Sequence, residues 1–258
     1  MGNTVSGFQV SPLQPDRPPI CCSSGAAALF RAEHIDNYRM IVEQSQINAR
    51  ARAGQTYLPS LVSVSKEIPR IDPAEPWPSG QVVWMDPTAD AGLPHTRAPD
   101  LICISRDFPI SDIPTTILHE RVHVSQRLHP TAWRNIFEPW SFKAWNGILP
   151  SELESKRRIN PDLLGIPLYI WKDTWVPIAL FKSTNQPKLT EVDIVWWDVT
   201  SRTLLRQSPP GWNDFFGSIP AGEHPYELIA YLVAKNPKEN RAYNAIKPRL
   251  TALPKNAI

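Results

Sequence analysis

His119-Glu120-Arg121-Val122-His123 fits the pattern H-E-x-x-H. At helical spacing, residues i and i+4 stand one above the other on the same face. Two imidazoles so placed can reach a single metal ion, and the glutamate between them lies close enough to take a proton. That geometry needs a helix, and the flanks supply one. Upstream, Ser111-Asp112-Ile113-Pro114 offers cap-type residues followed by an early proline. Downstream, His129-Pro130 is a helix stop. Between them Ile117, Leu118, Val122, Val124 and Leu128 give the stretch an apolar surface to bury. Histidine is scarce, with 6 in 258 residues, so the spaced pair is not noise from a histidine-rich chain.

A catalytic zinc takes three protein ligands and keeps one position open. The best third donor is Glu227, in the run from Glu223 to Lys235. Pro225 near its start and Asn236-Pro237 after its end mark this run as a helix of about three turns. A carboxylate in a first turn also complements the helix dipole, and that reading stands beside the ligand one. Asp162, in Asn160-Pro161-Asp162, is the runner-up, and His129, Glu138, His224 and His95 are the remaining candidates. Gln126 follows His123 by three residues and shares its helix face, as a supporting residue would. Tyr231, one turn after Glu227, and His95 are candidate donors to a developing oxyanion. Arg97 is a candidate for a substrate carboxylate. The plain alternative for residues 92–97 is a surface turn.

Together the two motifs resemble those of the zincin metallopeptidases, in the gluzincin-like branch. The resemblance rests on two short helices. It implies an α+β fold, zincin-like, in which a small mixed sheet accompanies an active-site helix and a second ligand-bearing helix. It implies one zinc ion held by His119, His123 and Glu227, with Glu120 as general base in peptide-bond hydrolysis. It also implies that an edge strand pairs with an extended peptide or protein substrate. Two features depart from the pattern. The ligands at 123 and 227 are 104 residues apart, and Tyr231 stands where many gluzincins carry an aspartate bonded to a ligand histidine. The pattern is similar, too, to a poorly characterised zincin-like group found in large DNA viruses. The rival expectation is a non-catalytic, membrane-associated structural or virion protein on a zincin-derived fold. Glu120 argues against it, because a purely structural zinc site needs no base.

Composition narrows the remaining classes. A net charge of +2 with no basic block gives no field for nucleic acid. The longest apolar runs are about seven residues, against the roughly twenty that a spanning helix needs. The first twenty residues lack the apolar core of a signal peptide. The cysteines are Cys21, Cys22 and Cys103, which make no disulfide framework and point to a reducing, cytoplasmic setting. Met1-Gly2-Asn3-Thr4-Val5-Ser6 fits the N-myristoylation pattern, with Gly2 as acceptor. One acyl chain anchors weakly, so a peripheral membrane contact would draw on Cys21 or Cys22 for a second.

The expected organisation is a flexible, acylated tail at 1–24 and a zincin-like catalytic domain at 25–258, with a Trp/Pro-rich insertion at about 130–220. Residues 25–53 read as helical, and 58–64, 81–85, 100–105 and 188–199 as strands, while 68–80 reads as a proline-marked connector. Residues 152–158 read as the solvated face of a helix. The tryptophans clustered after the motif read as core, with a substrate pocket as the sharper alternative.

Overall fold

The computed structural model describes residues 24–60, 77–78, 80–219, 222–235 and 240–253. Gly2, Cys21, Cys22 and most of the proline-marked connector lie outside them. The helical stretch expected at 25–53 forms three helices: α1 (Ser24–Asp36), α2 (Tyr38–Gln44) and α3 (Gln46–Ala51). The first break is at Asn37, which is left-handed with φ 51°, a conformation that asparagine tolerates. The cause is the Asp36 carboxylate. It accepts from the Tyr38 amide (3.1 Å), the Ala98 amide (3.1 Å) and the Arg97 guanidinium (2.7 and 2.8 Å), pinning the end of α1 to the neighbouring strand.

That strand belongs to a three-stranded mixed sheet of β1 (Gln81–Met85), β2 (His95–Arg97) and β3 (Leu101–Ser105). β3 lies in the middle, parallel to β1 and antiparallel to β2. Every residue of β3 is buried. Leu101 and Cys103 pack with Ala28, Leu29 and Ala32 of α1, while Ile102 and Ile104 face Ile113, Ile117 and Val124. A strand covered on both faces has no solvent side, which is why Leu-Ile-Cys-Ile shows no polar alternation. The surface turn read at 92–97 is corrected: His95, Thr96 and Arg97 are a buried strand. Of the strand expected at 58–64, Pro59 makes an isolated bridge to Met85, and residues beyond 60 lie outside the described set.

The motif helix, α4 (Ile113–Leu128), follows a short 3-10 turn at Ile110–Asp112. Asp112 occupies the cap position without a side-chain capping bond, and Pro114 sits in the first turn. His129 leaves the helical region (φ −129°, ψ 50°) because a residue before proline avoids the α conformation. Pro130 then opens α5 (Pro130–Arg134).

The region between the two motifs builds a second sheet. β4 (Phe142–Ala144) is followed by α6 (Ser151–Lys156), β5 (Tyr169–Trp171), β6 (Trp175–Phe181), β7 (Val192–Asp198) and β8 (Thr203–Leu205), and the five strands pair antiparallel in chain order. The strand read at 188–199 is thus shortened to β7, and Trp196 and Trp197 are both buried because the sheet is covered on both faces. α6 exposes Glu152 and Glu154 but buries Leu153. Then come α7 (Trp212–Phe216), α8 (Pro225–Lys235) and α9 (Arg241–Thr251). The class is therefore α+β with small sheets. Among the described residues no helix is long and apolar enough to cross a membrane.

The tryptophans are core. Trp133, Trp140, Trp171, Trp196 and Trp212 join Phe137, Phe142, Tyr169 and Phe216 in one cluster that also seats α8 and α9. Trp140 Nε1 donates to the Ala242 carbonyl (2.8 Å) and Trp171 Nε1 to the Trp140 carbonyl (2.8 Å). Trp196 Nε1, equally buried, has no partner among the described residues. Phenylalanine at either position loses similar volume, but only at 140 does it strand a buried carbonyl. Trp140→Phe should therefore destabilise by about 1–2 kcal/mol more than Trp196→Phe in urea unfolding.

Candidate metal centre

α4 packs against α8, and that contact places Glu227 over the two motif histidines. His119 Nε2 and His123 Nε2 are 3.1 Å apart, and Glu227 Oε2 stands 3.5 Å from the first and 3.4 Å from the second. Three ligands bound tetrahedrally to zinc at about 2.0–2.2 Å have donor atoms about 3.3 Å apart. The triangle has those edges. His123 and Glu227 are buried, and His119 remains partly open, so one side of the triangle can be reached.

The surroundings orient each donor. Gln126 Nε2 donates to the Tyr226 carbonyl (3.2 Å), which turns its Oε1 to the Nδ1 of His123 at 2.8 Å. An amide oxygen only accepts, so Nδ1 carries a proton and Nε2 is left to face the other two donors. Burial opposes charge on His123, but Glu227, Asp162 and Glu120 around it raise its pKa to about 10. Burial likewise opposes charge on Glu227, but His123 and then His119 hold its carboxylate well below the usual range. The pocket thus retains a positive charge at this point, and a dication meets the same demand.

Glu120 lies in the wall of the same cavity, of about 390 Å³, with His95, Asp90, Asn160, Asp162 and Tyr231. Its Oε2 is buried and has no hydrogen-bond partner among the described residues. Burial, reinforced by Asp162, pushes its carboxyl well above the ordinary value, while His123 pulls the other way. No tryptophan lines this cavity, so the tryptophan cluster takes no part in it.

The other candidates for a third ligand have separate employment. Asp162 Oδ1 accepts from the Thr96 amide (2.6 Å) and hydroxyl (2.7 Å). Glu138 pairs with Arg249 at the surface (2.9 Å), and His129 ends α4. His224 Nε2 donates to the Pro167 carbonyl (3.0 Å), which leaves its Nδ1 to accept from the Tyr226 amide (3.2 Å) at the start of α8. His95 Nδ1 donates to the Leu93 carbonyl (3.1 Å), and its Nε2 faces Asp90 Oδ2 at 3.7 Å. Burial opposes its charge, but the Cys103 sulfur across the strand pair, Asp90 and Asp162 hold its pKa at about 10. His95 thus has both nitrogens facing acceptors, and Tyr231, one turn past Glu227, lines the cavity. Arg97 is committed to Asp36 and Glu33 (2.7 Å each) and so does not serve a substrate carboxylate.

Part of each outer edge of the small sheet is already engaged. On β2 the Thr96 amide is taken by Asp162. On β1 the Trp84 carbonyl accepts from Ser60 (2.8 Å), and the amide of Asp86, just past the strand, donates to Leu58 (3.3 Å). The sequence reading also passed over Asn160 and Arg158, whose carboxylate partners lie more than sixty residues away. The turn-type pair Asn160-Pro161 was the one local cue, and it signals a bend without naming what the bend touches.

No protein-family model matches this chain, and no curated protein or solved structure matches it significantly.

Purified chain should carry about one zinc. By elemental analysis, Glu227→Ala should lose it and Asp162→Ala should keep it. A second expectation concerns acid. Burial lowers the pKa of His224 to about 4, against about 6.5 in the unfolded chain. The unfolded state therefore binds the extra proton first. The stability due to neutral His224 is complete above pH 6.5 and is lost as pH falls from there to about 4, at a cost of roughly 3 kcal/mol. Denaturation across that window should show a flatter pH dependence for His224→Gln than for wild type.

Proposed function

We propose that this chain is a zinc-dependent hydrolase that cleaves peptide bonds, with His119, His123 and Glu227 as the ligand set. The observation that carries the reading is the convergence of those three donors at tetrahedral spacing, with the unpartnered Oε2 of Glu120 in the wall of the same cavity. Zinc, when bound there, supplies Lewis acidity and a local charge that favours ionised Glu120. Glu120 takes a proton from the attacking water and passes it to the leaving amine. Its burial excludes bulk water, which keeps that proton at the reacting bond. Tyr231 donates to the oxygen on which negative charge develops. Gln126 holds the His123 ring in one orientation throughout.

A non-catalytic role would leave Glu120 without purpose: a buried carboxyl with one oxygen unpaired costs stability and adds nothing to a structural zinc.

Glu120→Gln should keep its zinc and its fold but lose about three orders of magnitude in hydrolytic rate. The assay is cleavage of a peptide library by wild type and variant prepared side by side. Equal rates in the two preparations would reject Glu120 as the base.

A further inference from the structure

We infer that Asn160 is a positioning residue that decides which oxygen of Glu227 is offered to the metal. The inference rests on the zinc reading above. Asn160 Nδ2 donates to Glu227 Oε1 (2.8 Å) and also to Glu223 Oε1 (3.0 Å). Its Oδ1 accepts from the Asp162 amide (3.0 Å). That last bond sets the flip of the amide, since a backbone N–H can only donate. Both Nδ2 hydrogens are therefore directed at carboxylates, one at each. With Oε1 engaged, Glu227 presents Oε2 alone to His119 and His123.

The arrangement has a charge logic. Glu223 and Glu227 are both buried and share one amide. Arg158 offsets the first through its Nη2 (2.6 Å). The second is left to the histidines and to whatever cation they hold. Without Asn160, Glu227 would lose the bond that keeps its carboxylate from turning in the pocket. The ordering entropy of the ligand would then be charged to metal binding. Groups that orient a metal ligand typically contribute about 10–100-fold to affinity.

Asn48 provides the comparison. It holds the same chain segment, donating to the Arg157 carbonyl (2.8 Å) and accepting from the Ile159 amide (2.8 Å), but it does not touch Glu227. Zinc affinity would be read by chelator competition on the full chain, beside the thermal unfolding of each metal-free protein. Asn160→Ala and Asn160→Ser should bind zinc about 10–100-fold more weakly than wild type. Serine keeps an acceptor for the Asp162 amide, so the test survives if the alanine variant does not fold. Asn48→Ala should unfold at lower temperature with zinc affinity near the wild-type value. Wild-type affinity in Asn160→Ser, or an equal loss in Asn48→Ala, would overturn the positioning role and leave the zinc site standing. A wild-type chain that binds no zinc would overturn the site and the inference together.

Discussion

Three electron-pair donors converge within a buried pocket, and the rest of the structure answers to that. Two imidazole nitrogens and a carboxylate oxygen at 3.1–3.5 Å need a positive charge among them, which a proton on His123 supplies in the metal-free chain and a dication can supply in its place. The fold does not relieve the crowding by letting the groups turn away. Gln126 fixes the ring of His123, Asn160 fixes the carboxylate of Glu227, and the packing of α4 on α8 fixes the distance between them. Such preorganisation is costly in a resting chain and useful in one that binds a cation.

The segment from Arg158 to Asp162 carries much of that constraint. Arg158 reaches Glu223, the Ile159 carbonyl accepts from Arg52, and Asn160 reaches Glu227. The Pro161 carbonyl accepts from Arg127, and Asp162 takes the Thr96 amide and hydroxyl. Five consecutive residues thus tie the region between the motifs to the end of α3, α4, β2 and the start of α8. A proline-stiffened turn suits this task, since it loses little backbone freedom when its polar groups are engaged.

The aromatic cluster sets the other boundary condition. Phe137 and Tyr169 flank Tyr226, the residue beside Glu227, at ring separations of 5.1 and 5.9 Å. The start of α8 is therefore held by ring packing on one side and by the His224 cap at its end. α8 owes its place to the region between the two motifs, which explains why the 103 residues between His123 and Glu227 do not loosen the cluster. The group bonded to His123 Nδ1 is Gln126, on the motif helix itself.

The sequence alone determined what depends on local spacing. The motif helix with its proline boundaries, strands β1 and β3, the α+β class and the trio His119, His123 and Glu227 as candidate ligands were all legible. Each follows from periodicity, from the backbone limits of proline or from the chemistry of paired histidines. Tertiary structure decided the rest. Gly25 to Ala53 reads as one helix, yet the Asp36–Arg97 contact breaks it at Asn37. Residues 92–97 read as a turn, yet burial against β3 makes part of them a strand. That Glu227 rather than Asp162 stands beside the two histidines turns on contacts that span 104 and 108 residues, and the bonds of Asn160 and Arg158 to the two glutamates span 63 to 67. Helix and strand signals repeat every few residues and can be read along the chain. A hydrogen bond between a turn and a distant helix leaves no period, and only the folded packing selects its partner.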